Sequence, residues 1–126
     1  KGMLYLLLQY SAGHWGFVKG NIEKSEDEKE TLLREAKEEA GLSDLEIVEG
    51  FKYKESYFYK RDGKLISKEV IFYLAKTKNK DVKLSYEHKD FKWLNFNDAV
   101  KQLTFKNEKE LLKKANEVLL NKKITL

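Results

Sequence analysis

The chain contains no cysteine and no proline, a single methionine and only two histidines in 126 residues. Without cysteine there is no disulfide scaffold, no thiolate-bound zinc or iron–sulfur cluster and no thiol nucleophile. His14 and His88 are too few for a histidine-rich zinc site. Long apolar runs are missing as well. The longest covers residues 3–8, which suits a strand and falls far short of the ~20 residues of a membrane span. No secretory pattern opens the chain, so the cytoplasm is the expected compartment and no membrane is expected as a partner. Lys1 stands where an initiator methionine would, and an apolar strand follows at once, so a chain trimmed at its start is expected.

What the chain has is apolar volume and charge. Hydrophobic residues make up 41%, with seven Phe, seven Tyr and two Trp, enough to build the core of one domain spanning residues 1–126. Charged residues make up 37%, and a mean hydropathy of −0.66 describes a heavily solvated surface. The net charge of +4 is unevenly spread. Residues 20–42 carry eight acidic against four basic side chains, a net −4, which leaves +8 for the rest. A basic body with an acidic insert suits a polyanionic substrate handled through divalent cations, although a lysine-rich surface gives similar totals.

Periodicity orders the elements. Residues 3–9 read as a buried strand, and residues 11–20 as a glycine-containing loop. Ser25 with Glu28 predicts a capped helix start and Gly41 its stop, with Leu32, Leu33, Ala36 and Ala40 on the inward face. Strands are predicted over 45–55, 56–60 and 65–77, with 70–74 the most buried. Asp62-Gly63 supplies a hairpin turn. A strand over 91–96, a helix over 97–103 capped by Asn97, and a final helix from about Asn107 complete the chain. That last helix is expected to bury Leu111, Leu112, Ala115, Val118 and Leu119. The alternation predicts an α/β fold, a mixed sheet covered by helices.

On the first helix, at 100° per residue, Glu38 and Glu39 fall at about −60° and +40° from Glu35. Three carboxylates on one stripe repel one another, unless hard divalent cations sit among them. Arg34, one turn before Glu38, is placed to orient that carboxylate. A solvated acidic face is the plain alternative.

The spacing around these residues narrows the choice. Five residues separate Gly20 from Glu26, seven more precede Arg34-Glu35, and Ala36-Lys37-Glu38-Glu39-Ala40-Gly41-Leu42 closes the segment. This resembles the Nudix box, Gly-x5-Glu-x7-Arg-Glu-U-x-Glu-Glu-x-Gly-U with U a bulky aliphatic. Ala36, at the first U, is the one departure. The resemblance implies a loop–helix–loop motif within an α/β/α sandwich, a mixed β-sheet between helices, and hydrolysis of a nucleoside diphosphate linked to another group. By position it implies that Glu35, Glu38 and Glu39 bind Mg²⁺ or Mn²⁺, more than one ion, helped by a backbone carbonyl at Lys19 or Gly20. Gly20, Glu26, Arg34 and Gly41 would brace the motif.

Outside the box, Tyr5-Leu6-Leu7-Leu8-Gln9-Tyr10, His14-Trp15-Gly16-Phe17-Val18-Lys19-Gly20, residues 68–75 and Leu84-Ser85-Tyr86-Glu87-His88 resemble the asymmetric diadenosine tetraphosphate hydrolase branch. Val18 stands where that branch often has proline. The resemblance implies cleavage of diadenosine tetraphosphate to ATP and AMP. It implies substrate contacts from His14, Lys19 and Lys68, nucleobase stacking by Tyr57, and a further carboxylate near the metals at Glu87. Glu87 is then a metal ligand or the base that takes a proton from water, a role for which Glu35 competes. Phe105 is expected beneath the last helix and His88 in a structural role. The alternatives are a Nudix pyrophosphohydrolase acting on RNA 5′ ends or another nucleoside diphosphate derivative, and a non-catalytic nucleotide- or RNA-binding module. The intact set of box carboxylates disfavours the last. A monomer is expected.

Overall fold

A computed structural model describes residues 3–19 and 27–125. Five strands and three helices follow in the order β1 (Tyr5–Tyr10), β2 (Trp15–Gly16), α1 (Glu28–Ala40), β3 (Glu46–Arg61), β4 (Lys64–Lys76), β5 (His88–Leu94), α2 (Phe96–Gln102) and α3 (Lys106–Thr125). The α/β class is as expected, with a different sheet arrangement. Among the described residues the strands form two sheets, β2-β1-β5 and β3-β4, and every pairing is antiparallel.

The apolar strand β1 takes the centre of its sheet, with Leu7 and Leu8 wholly buried. Leu7 joins Trp15, Ala99, Leu103 and Leu112 in one core cluster, while Val70, Phe72 and Leu111 form a second. Consecutive residues of α3 thus serve both clusters, and Phe17 packs against each. The strands read as 45–55 and 56–60 are one continuous strand, β3, with an irregularity between Val48 and Lys52. Asp62 and Gly63 turn it back with φ of 52° and 76°, the left-handed pair that a two-residue hairpin demands.

Three helix details differ from the sequence reading. The cap of α1 is Asp27, whose side chain accepts from the Glu30 backbone N–H while Glu30 reaches back to the Asp27 N–H. Ser25 lies outside the described residues. Glu28 does not serve a cap, because it is engaged across the fold by Lys52 Nζ at 2.7 Å and the Tyr73 hydroxyl at 2.6 Å. Asn95, rather than Asn97, caps α2 through the Asp98 N–H. The inward face of α1 is also rotated. Thr31, Ala36, Glu39 and Ala40 are buried, whereas Leu33 is 44% exposed. On a helical wheel that is a turn of roughly 60° toward the carboxylates, forced by polar attachments at both helix ends. Glu28 holds the first turn to β3 and β4. At the other end the Lys83 and Ser85 N–H groups donate to the carbonyls of Ala40 and Glu39.

Gly41 ends α1 in the left-handed conformation, φ 70°, donating its N–H to Lys37 and Ala36 carbonyls. A Cβ there would stand 3.0 Å from Lys83 Cβ and 3.3 Å from Lys83 N. Gly41→Ala should therefore cost about 1–2 kcal/mol of stability, from left-handed strain plus crowding of the loop that fixes the helix end. Urea denaturation of the two proteins measures it.

Candidate active site

The rotation of α1 brings Glu39 inside, where it is 7% exposed. Its Oε1 is buried and has no hydrogen-bond partner, and it lies 3.7 Å from His88 Nε2, which is equally unpartnered. The other ring nitrogen of His88 is 3.1 Å from the Ser85 hydroxyl. Burial lowers the proton affinity of His88, so the imidazole beside Glu39 is neutral and supplies no positive charge. Burial, followed by the Glu35 carboxylate alongside, pushes the Glu39 pKa from 4.5 up to about 8, with the Lys19 backbone N–H opposing the shift. Two carboxyl groups one helical turn apart here hold a proton at a pH where free carboxylates would have lost it.

Arg34 is set between the other two helix acids. Its Nη1 is 3.0 Å from Glu38 and its Nη2 3.4 Å from Glu35. The expected orientation of Glu38 is present, and Glu35 shares it. Glu38 remains exposed at 59% of its side chain while Glu35 is 13% exposed, so the three carboxylates run from solvent to interior.

These groups form one wall of an open cleft of about 720 Å³, within the usual size range of a ligand site. Glu35, Glu38, Glu39 and Arg34 come from α1, Lys68 and Val70 from β4, and Glu87 and Tyr86 from the turn before β5. Tyr10, His14 and Lys19 line it as well. Glu87 is set in place by Ser11, whose N–H and hydroxyl both donate to its carbonyl, at 3.0 and 2.9 Å. His14 stacks on Tyr10 with ring centroids 4.7 Å apart and planes within 5°. Burial and then Lys19 lower its pKa, so His14 offers a neutral hydrogen-bonding ring. Lys19 Nζ lies 3.5 Å from Glu108 Oε2.

Of the residues nominated from sequence, His14, Lys19, Arg34, Glu35, Glu38, Glu39, Lys68 and Glu87 meet at this cleft. Gly20, Glu26 and the Tyr57 side chain lie outside the described residues, although the Tyr57 backbone pairs directly opposite Lys68. Phe105 does not lie beneath α3. It immediately precedes the helix, where its carbonyl accepts from Glu108 and Lys109, so its ring is left outside, 48% exposed and 5.2 Å from His14. Tyr86, 93% exposed, and the buried Glu108 were not nominated. Tyr86 could have been found beside Glu87. Glu108 shows locally only as an acid at a helical position that calls for an apolar residue, next to Leu111 and Leu112.

The NUDIX domain family matches residues 1–115. The chain belongs to the Nudix family. It is 37% identical over 121 residues to the asymmetrical bis(5′-nucleosyl)-tetraphosphatase of Mus musculus, covering 91% of this chain and 80% of the relative. The crystal structure of a Caenorhabditis elegans Ap4A hydrolase binary complex superposes with a TM-score of 0.78 at 38% identity, over 94% of this chain and 87% of that one. An RNA pyrophosphohydrolase of Nitratiruptor is 35% identical over 103 residues, 72% of this chain and 64% of the relative.

Nudix hydrolases generally need divalent metal ions. Among the described residues no three acidic or imidazole groups converge into a ready-made cage. The donor chemistry nevertheless suits a hard cation. Glu39 has a buried oxygen without a partner beside the Glu35 carboxylate, a place where a cation would relieve the repulsion that raises the Glu39 pKa.

The raised Glu39 pKa gives a pH dependence with a definite sign. Between 4.5 and about 8 the folded chain holds a proton that the unfolded chain has released, so stability falls as pH rises through that window. In EDTA, the melting temperature should drop between pH 5 and 8, and Glu39→Gln should flatten the decline. Millimolar Mg²⁺ or Mn²⁺ should recover the loss at pH 8 in the wild type but not in Glu39→Gln. Calorimetric melts of the two proteins at three pH values decide the matter.

Proposed function

We propose that the chain hydrolyses dinucleoside polyphosphates, with diadenosine tetraphosphate converted to ATP and AMP. The supporting observation is the convergence of four carboxylates, two lysines and a neutral histidine on one cleft. The relatives from mouse and worm, named for this reaction, point the same way.

In this reading Glu35, Glu38, Glu39 and a backbone carbonyl at Lys19 or Gly20 hold divalent cations, Mg²⁺ or Mn²⁺, with Glu87 as a further ligand or base. Bound there, such cations neutralise the negative oxygens that shield a phosphoanhydride and make water more acidic. The residues of the chain do the remainder. Lys19 and Lys68 face the polyphosphate as point charges from different elements. His14, kept neutral, contributes one ring N–H to a phosphate oxygen without adding charge. Arg34 keeps Glu35 and Glu38 in fixed orientations. A carboxylate, Glu35 or Glu87, accepts the proton released by water. The oxygen of water bonds to the phosphorus of the departing AMP, the bridging oxygen leaves with ATP, and one water is consumed per bond broken. Tyr57 is assigned to stacking on a base. Gly20, Glu26 and Gly41 serve the shape of the motif, and the working unit is a monomer in the cytoplasm.

Glu39→Gln is nearly isosteric and removes a desolvated charge, so it should fold at least as well as wild type in EDTA. Its turnover of diadenosine tetraphosphate in Mg²⁺ should fall by at least about 10²-fold. Product analysis in ¹⁸O water should place the label on AMP. Retained turnover with a native circular dichroism spectrum would refute the assignment. Faster release of pyrophosphate from 5′-triphosphate RNA than cleavage of the dinucleotide would replace the substrate.

A further inference from the structure

Glu108 is the least exposed acid among the described residues, at 3%. It occupies the first turn of α3, on the same side as Leu111 and Leu112, where the helical pattern calls for an apolar residue. Burying a carboxylate in a core position is expensive unless something compensates it. The compensation comes from the segment that leads out of β2. Gly16 makes room, since a Cβ there would sit 2.9 Å from Glu108 Oε1. Burial raises the proton affinity of Glu108, and the Lys19 ammonium, with Nζ 3.5 Å from Oε2, then the Phe17 backbone N–H oppose that rise in part, while Oε1 has no hydrogen-bond partner. Lys19 also lies over the Tyr10 ring, 5.8 Å from its centroid. Its side chain is 34% exposed, and Lys19 is one of the residues that line the cleft.

We propose that Glu108 is a positioning residue, which from the core side holds the Lys19 ammonium against the cleft wall ready for a phosphate group. The inference rests on the polyphosphate reading above. An ammonium has three donors, so one directed at Glu108 leaves others for phosphate oxygens. A free lysine side chain must lose rotamer entropy when it engages an anion, and one already tethered loses less. Glu108 therefore acts on substrate affinity, through Lys19, and not on the chemical step.

A double-mutant cycle tests this with Glu108→Gln, Lys19→Gln and the combined variant. The readouts are KM and kcat on diadenosine tetraphosphate, and calorimetric affinity for its methylene-bridged, non-hydrolysable analogue in Mg²⁺. Glu108→Gln should weaken KM and analogue affinity about five- to tenfold and leave kcat within about twofold. Lys19→Gln should weaken them about tenfold or more, and the combined variant no further than Lys19→Gln alone. Gly16→Ala, which displaces the same carboxylate without removing it, should reproduce the direction of Glu108→Gln. Unchanged affinity in Glu108→Gln, a loss confined to kcat, or effects that multiply in the combined variant overturn the proposal. If Glu108→Gln does not fold, Glu108→Met takes its place, and failure of both to fold marks Glu108 as a core element and overturns the role. A wild type that neither binds nor cleaves the dinucleotide overturns the substrate reading and this proposal together. A wild type that does both while Glu108→Gln matches it overturns the Glu108 role alone.

Discussion

A carboxyl group held out of water beside a second carboxyl group is the constraint around which this molecule is arranged. Glu39 cannot lie on the inner face of α1 with a full negative charge unless something positive accompanies it, and the described neighbours do not provide that. The imidazole at 3.7 Å is kept neutral by its own burial. Arg34 is engaged with Glu35 and Glu38, and the Lys19 ammonium is directed at Glu108. The protein therefore reaches neutrality here by taking up a proton or a cation from outside. That unbalanced charge is a property of the folded backbone. In the unfolded chain the same three glutamates would be solvated and ordinary.

The fold maintains the imbalance with polar ties at both ends of α1 beside the small apolar seat of Ala36 and Ala40. Neither of the two core clusters includes a residue of α1. The helix is fastened at its first turn by Glu28 to Lys52 and Tyr73, and at its last turn by backbone bonds to Lys83 and Ser85. Because both ties are directional, they select a rotation of the helix about its axis, which greasy contact with alanines would define poorly. The rotation that satisfies them exposes Leu33 and buries Glu39. Ser85 takes part twice, holding the Glu39 backbone and capping the turn that carries Glu87, so acids far apart in sequence are placed by one loop.

What could be read from the sequence was what depends on near neighbours. The box spacing located the carboxylate stripe and its arginine. Asp62-Gly63 announced a turn that needs positive φ, and the unbroken apolar run announced β1. The failures share a cause. Ser25–Glu28 and Asp27–Glu30 are overlapping capping patterns, and only the distant Lys52 and Tyr73 show that Glu28 is committed elsewhere. Asn95 and Asn97 compete in the same way for α2. The helical wheel of α1 gave its apolar side correctly by composition and incorrectly by burial, since the deciding bonds come from residues 24 to 46 positions away. Glu108 is the extreme case. Its local pattern shows only an acid in an apolar position; its meaning lies in a glycine and a lysine some 90 residues earlier.

The mixed sign of the cleft has a consequence for selectivity. Lysine ammonium groups and bound cations recognise phosphate by charge, whatever the phosphate is attached to. A neutral His14 adds direction without adding discrimination between bases. Under the proposed function, ranking among nucleotide substrates would rest on groups with shape; among the described residues Tyr86, which lines the cleft, and Phe105, beside His14, are exposed rings. Such rings offer a π-face to any base and gain most from large, flat ones. On the proposed function, such a site would accept polyphosphates broadly and grade them at the periphery. The catalytic constellation can therefore be shared across a whole family, while the loops before β5 and α3, which carry these rings, set what each member prefers.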